Sequence, residues 1–206
     1  MKTCEIIQKI NFFFMKIPIW VYLIPYIMHV ISVKLVTDKF NKLKSQKPLY
    51  DIIASNTKNY RKYEHIPNYI IGFISIFILF PLIIKPNLNY FKSLFKYVSV
   101  LVFIRSITTF VTILPAQSKK CENKNNLLTY LNGHCIDKIY SGHTALSLLV
   151  VLLYYKYNTL PITFTNILLI LQIITAFSLI LTRSHYTIDV ILAYIITLGV
   201  YFILNL

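Results

Sequence analysis

The chain has 206 residues, of which 56% are hydrophobic and only 14% are charged, and its mean hydropathy is +0.62. A water-soluble domain of this length carries about a quarter charged residues, so the composition excludes an ordinary soluble globular protein. The net charge is +14, from 21 Lys and Arg against 7 Asp and Glu. These basic residues lie between apolar runs, which indicates segments beside anionic lipid, or a coding bias toward lysine, and not a nucleic-acid partner.

The apolar runs predict an all-α fold, a polytopic membrane protein built as a six-transmembrane-helix bundle. A helix needs roughly 20 apolar residues to cross a bilayer, so the chain has room for about six spans. The predicted spans are residues 17–36, 69–84, 97–114, 141–157, 160–181 and 188–206. We expect residues 1–206 to form a single membrane domain with both ends on the same side.

Six spans bring three polar segments to one face of the membrane, namely residues 37–68, 116–140 and 182–187. Most residues with catalytic chemistry lie in or beside these segments, so we expect the functional site on this face. Cys121 and Cys135 share the second segment, where they form either a disulfide or two reduced thiols. The spacing of the cysteines in the chain does not match a metal-binding pattern.

His185 and Asp189 are four residues apart at the predicted start of the last helix. At that spacing two side chains lie on one helix face, so the carboxylate can accept the N–H of one imidazole nitrogen. The other nitrogen is then free to attack a substrate, as in catalytic triads. The alternative interpretation is an interfacial His–Asp pair that only caps the helix.

His143 lies where the second polar segment enters the fourth predicted helix. Ser141 is suited to a helix N-cap, and Gly142 lets the backbone approach a ligand closely. Because backbone N–H groups at a helix start bind phosphate readily, this segment predicts a phosphate site. A lone histidine here would more often be structural, but a second histidine on the same face favours catalysis.

Two arginines add positive charge near these histidines. Arg105 lies inside the third apolar run, where an arginine either reaches back to the surface or faces the bundle interior toward an anion. Arg183 precedes His185 by two residues, and its charge could also be solvated. A metal bound by His143, His185 and Asp189 is the competing interpretation, although the arginines favour an anion site over a cation site.

The segments 140–144 (YSGHT) and 185–190 (HYTIDV) resemble the last two motifs of the sphingomyelin synthase family, which is part of the type 2 phosphatidic acid phosphatase superfamily. Residues 135–137 (CID) resemble the start of the first of these motifs, with Ile136 in place of glycine. The run from Arg105 to Pro115 resembles the family's arginine-to-Leu-Pro segment. Residues 48–51 (PLYD) resemble its first motif, usually PLPD.

The resemblance implies a role for each matched residue. His185 would attack the donor phospholipid's phosphodiester, with Asp189 orienting it, and would form a phosphohistidine. His143 would protonate the departing diacylglycerol, and the hydroxyl of the ceramide acceptor would then displace the phosphohistidine. No metal or other cofactor is implied. The residues expected to contact substrate are Arg105, Ser141, Gly142, Arg183, Asp137 and Asp51.

The interpretation is therefore an enzyme, a phospholipid:ceramide phosphotransferase of the sphingomyelin synthase or inositol-phosphorylceramide synthase type. Residues 182–184 (TRS) are closer to plant and protist inositol-phosphorylceramide synthases, which leaves choline, ethanolamine and inositol open as head group. A lipid phosphate phosphatase and a non-catalytic lipid-binding protein are the alternatives. Each of these interpretations is compatible with a homo-oligomer.

The resemblance also implies a multi-pass protein of the Golgi, the secretory pathway or the plasma membrane, with a lumenal or exoplasmic site. The charge distribution points the other way. The face with the histidines has 13 Lys and Arg and the opposite face has seven, so the positive-inside rule predicts a cytoplasmic site. We favour the orientation of the family, because the positive-inside rule has exceptions.

Overall fold

The computed structural model describes residues 19–40, 47–83, 87–115 and 139–205. Within these ranges every regular element is a helix, which confirms the all-α fold class. The helices are α1 Ile24–Phe40, α2 Ile52–Asn56, α3 His65–Ile83, α4 Leu88–Val111, α5 Gly142–Tyr157, α6 Ile162–Leu181 and α7 Thr187–Ile203. Short 3-10 helices, Ile19–Leu23 and Arg61–Tyr63, precede α1 and α3.

The six long helices, α1 and α3 to α7, lie where the six spans were predicted. Among the described residues, three segments are long and apolar enough to cross a membrane: Val21–Asp38, α4 and α6. Helix α7 is apolar but has only 17 residues. The protein is thus a helical membrane protein, while the count of six spans and the single domain over residues 1–206 stay predictions.

Helix boundaries differ from the predicted ones where polar side chains cap a helix. Helix α4 begins at Leu88, nine residues before the predicted start, because the side chain of Asn87 accepts two backbone N–H groups of the first turn. Helix α3 begins at His65, with Pro67 in its first turn. Proline is tolerated there because a backbone N–H in the first turn has no acceptor within the helix. Ser141 is the N-cap of α5, as predicted from the sequence.

Helix α5 is the centre of the bundle. Leu149 and Leu153, both fully buried, pack with apolar side chains of α4 and α7. Val150 and Val151, also fully buried, pack with α3 and α6. A helix that is apolar on all sides lies either in a protein core or in lipid, and the burial of these four residues places α5 in the core. The other helices therefore surround the helix that begins with the SGH motif.

The outer surface of the bundle carries large apolar side chains. In water such a surface would drive aggregation, whereas lipid tails cover it without cost. Residues that are more than half exposed occur on all the outer helices, for example Ile27, Ile76, Phe110, Ile170 and Ile195. The surface thus agrees with a membrane environment.

Candidate active site

The starts of α5 and α7 are joined by a backbone hydrogen bond. The Ser141 N–H donates to the carbonyl oxygen of Asp189 over 3.1 Å. The Ser141 hydroxyl oxygen accepts the N–H of Thr144 at 3.3 Å, which closes the first turn of α5. Ser141 and Asp189 are both fully buried. This bond fixes how the two histidine-bearing turns lie against each other.

His143 and His185 face each other across this junction. Their ring centroids are 6.3 Å apart and the ring planes are inclined at 72°. His185 is buried, whereas His143 is exposed at the rim. Two imidazoles this close can both act on one bound group, as nucleophilic and acid/base catalysis requires.

Asp189 lies beside His185, one helical turn further along the chain. Its Oδ2 is 3.6 Å from the Nδ1 atom of His185 and accepts the N–H of Tyr186 at 3.0 Å. The distance to Nδ1 exceeds a direct hydrogen bond, but such contacts often tighten only when substrate is bound. A buried carboxylate here directs Nδ1 toward itself and leaves Nε2 for the substrate.

Gly142 and Arg105 are in close contact. A Cβ atom added to Gly142 would lie 1.8 Å from Nη1 of Arg105, so the guanidinium fills the space that glycine leaves. Arg105 extends from α4, inside the bundle and beside the first turn of α5. A planar cation next to a helix start makes a site whose charge and donors match a phosphate group.

The residues just before both histidine turns have left-handed backbone conformations. Tyr140 has a φ angle of 64° and Arg183 has a φ angle of 60°. Such angles are uncommon for residues other than glycine and persist only where the surrounding contacts hold them. They occur three residues before His143 and two residues before His185, so a residue in this conformation precedes each histidine.

Arg183 and Asp51 are engaged with the scaffold. The Arg183 guanidinium donates to the carbonyl oxygens of Ala54 and Thr57, the latter at 2.8 Å. Asp51 caps α2 and accepts the N–H of Thr187 at 2.6 Å and its hydroxyl at 2.8 Å. Burial raises the pKa of Asp51, but these hydrogen bonds outweigh it and hold the pKa below its ordinary value. The contacts of Arg183 and Asp51 with substrate, expected from the sequence, stay predictions.

Tyr186 joins three segments that are distant in the chain. Its hydroxyl donates to the carbonyl oxygen of Pro115 at 2.9 Å and accepts the N–H of Leu49 at 3.1 Å. The PLYD segment, the Leu-Pro segment and the start of α7 therefore meet at one phenol. Sequence patterns name no such partner for Tyr186, because both partner atoms belong to the backbone.

A cavity of about 350 Å³ opens beside His143, between α1, α3, α4 and α5. Arg105, Tyr140, Gly142 and His143 form one end of it, and aliphatic side chains form most of the wall. Helix α1 adds His29, to which the sequence analysis gave no role. A histidine inside an apolar span is the signal that could have identified it.

Several predicted features lie outside the described residues: Asp137, Cys121 and Cys135. Among the residues that the structure describes, no three His, Cys, Asp or Glu side chains group as metal ligands do. The described part of the site thus consists of two histidines, one carboxylate and one arginine around the junction of α5 and α7.

Residues 134–206 match the family model described as PAP2 superfamily C-terminal. The chain is 30% identical over 132 residues to a phosphatidylinositol:ceramide inositolphosphotransferase of Trypanosoma cruzi, an alignment that covers 57% of this chain and 38% of that protein. It is also 30% identical over 117 residues to a phosphatidylethanolamine:ceramide ethanolaminephosphotransferase of Trypanosoma brucei brucei, over 50% of this chain and 36% of that protein.

A phosphatidylinositol:ceramide inositolphosphotransferase of Oryza sativa subsp. indica is 29% identical over 121 residues, which cover 50% of this chain and 37% of that protein. The chain thus spans less than two fifths of the length of the curated relatives that it matches. The family model and these relatives confirm the resemblance that the motifs indicated, and they are consistent with the sphingomyelin synthase family.

Proposed function

We propose that this chain, which carries a PAP2 superfamily C-terminal region at residues 134–206, transfers the phospho-head group of a phospholipid to ceramide. One observation carries the proposal: the His143 and His185 rings lie 6.3 Å apart, with Asp189 beside His185. Two imidazoles and a nearby arginine supply the nucleophile, the acid and the charge neutralisation that displacement at phosphorus requires. The names of the similar proteins support ceramide as acceptor.

In the first half-reaction, Nε2 of His185 attacks the phosphorus of the donor phospholipid. The N–P bond forms as the P–O bond to the glycerol breaks, and His143 gives its proton to the departing oxygen, which yields diacylglycerol. Asp189 stabilises the positive charge that develops on the His185 imidazole. Arg105 neutralises the charge on the phosphoryl oxygens.

In the second half-reaction, the primary hydroxyl of ceramide attacks the phosphohistidine. His143, now neutral, takes the hydroxyl proton while the N–P bond breaks, so both histidines return to their starting states. Water at about 55 M competes with this step, and a bound, oriented acceptor overcomes it because effective molarities reach roughly 10⁵–10⁸ M. The buried position of His185 supports transfer over hydrolysis.

The donor and the membrane face belong to the proposal as well. The similar proteins are named for inositol and ethanolamine head groups, so we propose phosphatidylinositol or phosphatidylethanolamine ahead of phosphatidylcholine. We also propose a lumenal or exoplasmic site in the secretory pathway or the plasma membrane. The apolar outer surface of the described helices supports the membrane setting.

The test is an assay of purified protein in mixed micelles with labelled ceramide and each of the three phospholipids. We expect a phosphosphingolipid and an equal amount of diacylglycerol. His185→Ala and His143→Ala should each lower kcat by about 10²–10⁴-fold, as loss of an acid/base group typically does. Asp189→Asn should lower kcat with little change in the KM for the donor.

Two results would contradict the proposal. Near-normal turnover by His185→Ala would exclude this histidine as the nucleophile. Release of inorganic phosphate from phosphatidic acid, with ceramide ignored, would identify a lipid phosphatase instead. Leu149→Val, a conservative change in the core away from the histidines, is the matched control and should keep near-normal turnover.

A further inference from the structure

His29 is a third histidine in the cavity of His143, although it belongs to α1 and lies outside residues 134–206. It is 4% exposed, within the segment Val21–Asp38 that is apolar enough to cross a membrane. Placing an ionisable side chain in such a segment costs free energy, so these residues typically face the bundle interior and serve a function. Neither proposed half-reaction uses His29.

Helix α1 is positioned so that His29 lies near the reacting end of the cavity. The Ser106 hydroxyl donates to the carbonyl oxygen of Pro25 at 3.4 Å, which places the first turn of α1 beside the turn of α4 that bears Arg105. His29 follows Pro25 by one helical turn. It therefore lines the same cavity as Arg105 and His143.

The cavity has the chemistry of a site for an amphiphile. Its volume, about 350 Å³, lies in the range of small-molecule sites, which combine apolar walls with a few placed polar groups. The apolar wall includes Ile71, Ile74, Ile78, Leu101, Val102 and Val150. The hydrocarbon chain of a lipid can pack against this wall. The polar groups of that lipid would then lie next to His29 and His143.

The polar groups that line the cavity differ in charge. Arg105 is a permanent cation and matches the anionic phosphodiester of the donor. The imidazole of His29 offers an N–H donor and, when neutral, an acceptor nitrogen, and so matches uncharged hydroxyl and amide groups. Ceramide carries an amide N–H and a secondary hydroxyl next to its reacting primary hydroxyl, whereas diacylglycerol carries only ester oxygens there.

We propose that His29 selects the acceptor lipid, by hydrogen bonding to the amide or the secondary hydroxyl of ceramide while the chain occupies the cavity. This inference rests on the proposed function and adds the residue that decides which alcohol is accepted. His29 is thus a specificity-determining residue that holds the primary hydroxyl within reach of His143 and does not itself take part in bond making.

The test compares KM values for acceptor and donor in His29→Leu, which keeps the side-chain volume similar and removes both polar nitrogens. We expect the KM for ceramide to rise roughly three- to tenfold, the factor that one ordinary hydrogen bond supplies. The KM for the donor should stay within about twofold. His29→Gln, which retains a donor and an acceptor, should recover part of the loss. Ile27→Ala, on the exposed side of α1, is the matched control and should change neither value.

Substrate analogues provide a second measurement, and its wild-type part does not depend on a folded variant. Wild-type protein should have a higher KM for 3-deoxyceramide or for N-methylceramide than for ceramide, and His29→Leu should no longer discriminate against that analogue. Equal KM values for all three lipids in the wild type would overturn the inference. An unchanged ceramide KM in His29→Leu, or an equal rise in the donor KM, would overturn it too.

The failure of this inference is distinct from that of the proposed function. A wild-type protein that transfers nothing to ceramide contradicts the proposed function, and the role of His29 falls with it. A wild-type protein that transfers normally while His29→Leu keeps its ceramide KM contradicts only the role of His29.

Discussion

At the scale of single residues, Gly142 gives Arg105 its position. The guanidinium occupies the volume next to the first turn of α5 that any larger side chain would fill. Arg105 and Gly142 are 37 positions apart in the chain, so this contact exists only because α4 packs beside α5. The same turn bears His143, so a displaced arginine would act directly on the proposed chemistry.

We predict that Gly142→Ala removes most activity and leaves the fold intact. The new methyl group would push the flexible end of Arg105 away from the phosphate position, and loss of one charge-stabilising donor typically costs about 10²–10³-fold in kcat. The melting temperature should change by only a few degrees, because only a side-chain tip must move. Activity of membrane protein in detergent and its thermal unfolding would be measured together.

Gly199→Ala is the control for this prediction. Nothing lies within 4 Å of an added Cβ at Gly199, in the middle of α7, so this variant should keep full activity. It should also be slightly more stable, because alanine is favoured over glycine in a helix by about 1 kcal/mol. Equal activity of the two alanine variants would contradict the role given to Arg105.

At the scale of elements, the site depends on segments that cross between the helices. Tyr186 ties the start of α7 to the carbonyl oxygen of Pro115 and to the N–H of Leu49. Asp51 ties the start of α2 to the first residue of α7. Because His185 immediately precedes Tyr186, these links set the position of the proposed nucleophile.

We predict that Tyr186→Phe lowers both stability and kcat. The variant leaves a buried backbone carbonyl and a backbone N–H without their hydroxyl partner, which costs about 1–3 kcal/mol. The start of α7 then loosens, so kcat should fall about tenfold while the KM for donor stays similar. The control is Tyr155→Phe, because that hydroxyl bonds Asn166 at the exposed surface. Full activity of Tyr186→Phe would show that the link does not position His185.

We predict that the contribution of Asp51 to the free energy of unfolding changes with pH only under acidic conditions. Its pKa is depressed in the folded protein, so the contribution is complete above the unfolded value of about 3.9 and is lost as pH falls through the folded value. Asp51→Ala should cost about 1–2 kcal/mol, as loss of an N-cap does. The difference in melting temperature from the wild type should be constant from pH 5 to pH 8 and shrink below pH 4.

Glu64→Ala provides the comparison for the acid titration. Glu64 pairs with Arg61 at 3.7 Å on the surface, and such pairs contribute little. Its melting temperature should follow the wild type at every pH. A difference between Asp51→Ala and the wild type that already closes near pH 6 would contradict the depressed pKa of Asp51.

At the scale of the whole molecule, a buried central helix is surrounded by helices whose outer faces are apolar. The proposed site lies at one end of α5, at the junction with α7, and the turn between α5 and α6 lies at the other end. In the predicted six-span topology, 13 of the Lys and Arg residues belong to segments on the face of the site and seven to the opposite face. The positive-inside rule and the resemblance therefore disagree about which compartment the site faces.

We predict that the site faces the lumen or the cell exterior. Leu127→Thr creates an Asn-x-Thr glycosylation acceptor at Asn125, in the polar segment 116–140. In a eukaryotic host this acceptor should be modified and should shift the protein's mobility on a gel, while an acceptor in a tag after Leu206 should stay unmodified. The reverse pattern would show that the charge distribution decides the orientation.

The sequence by itself determined what depends on local order along the chain. Long apolar runs identify membrane helices because, in lipid, a single segment can satisfy its backbone N–H and C=O groups only as a helix. The N-cap at Ser141 and the closeness of His185 and Asp189 follow from helix geometry within a few residues, and the structure shows both. Helix α4 begins nine residues before the apolar run that predicted the third span, because the side chain of Asn87 caps it there.

Only the tertiary structure decided which distant groups meet. The contact of Arg105 with Gly142 and the hydroxyl of Tyr186 between Leu49 and Pro115 depend on how helices pack. The entry of His29 into the cavity depends on α1 lying against α4. The local sequence does not determine these distances. Which side chains meet across a bundle depends on how each helix is rotated about its axis and how deep it lies in the bundle, and not on their spacing along the chain.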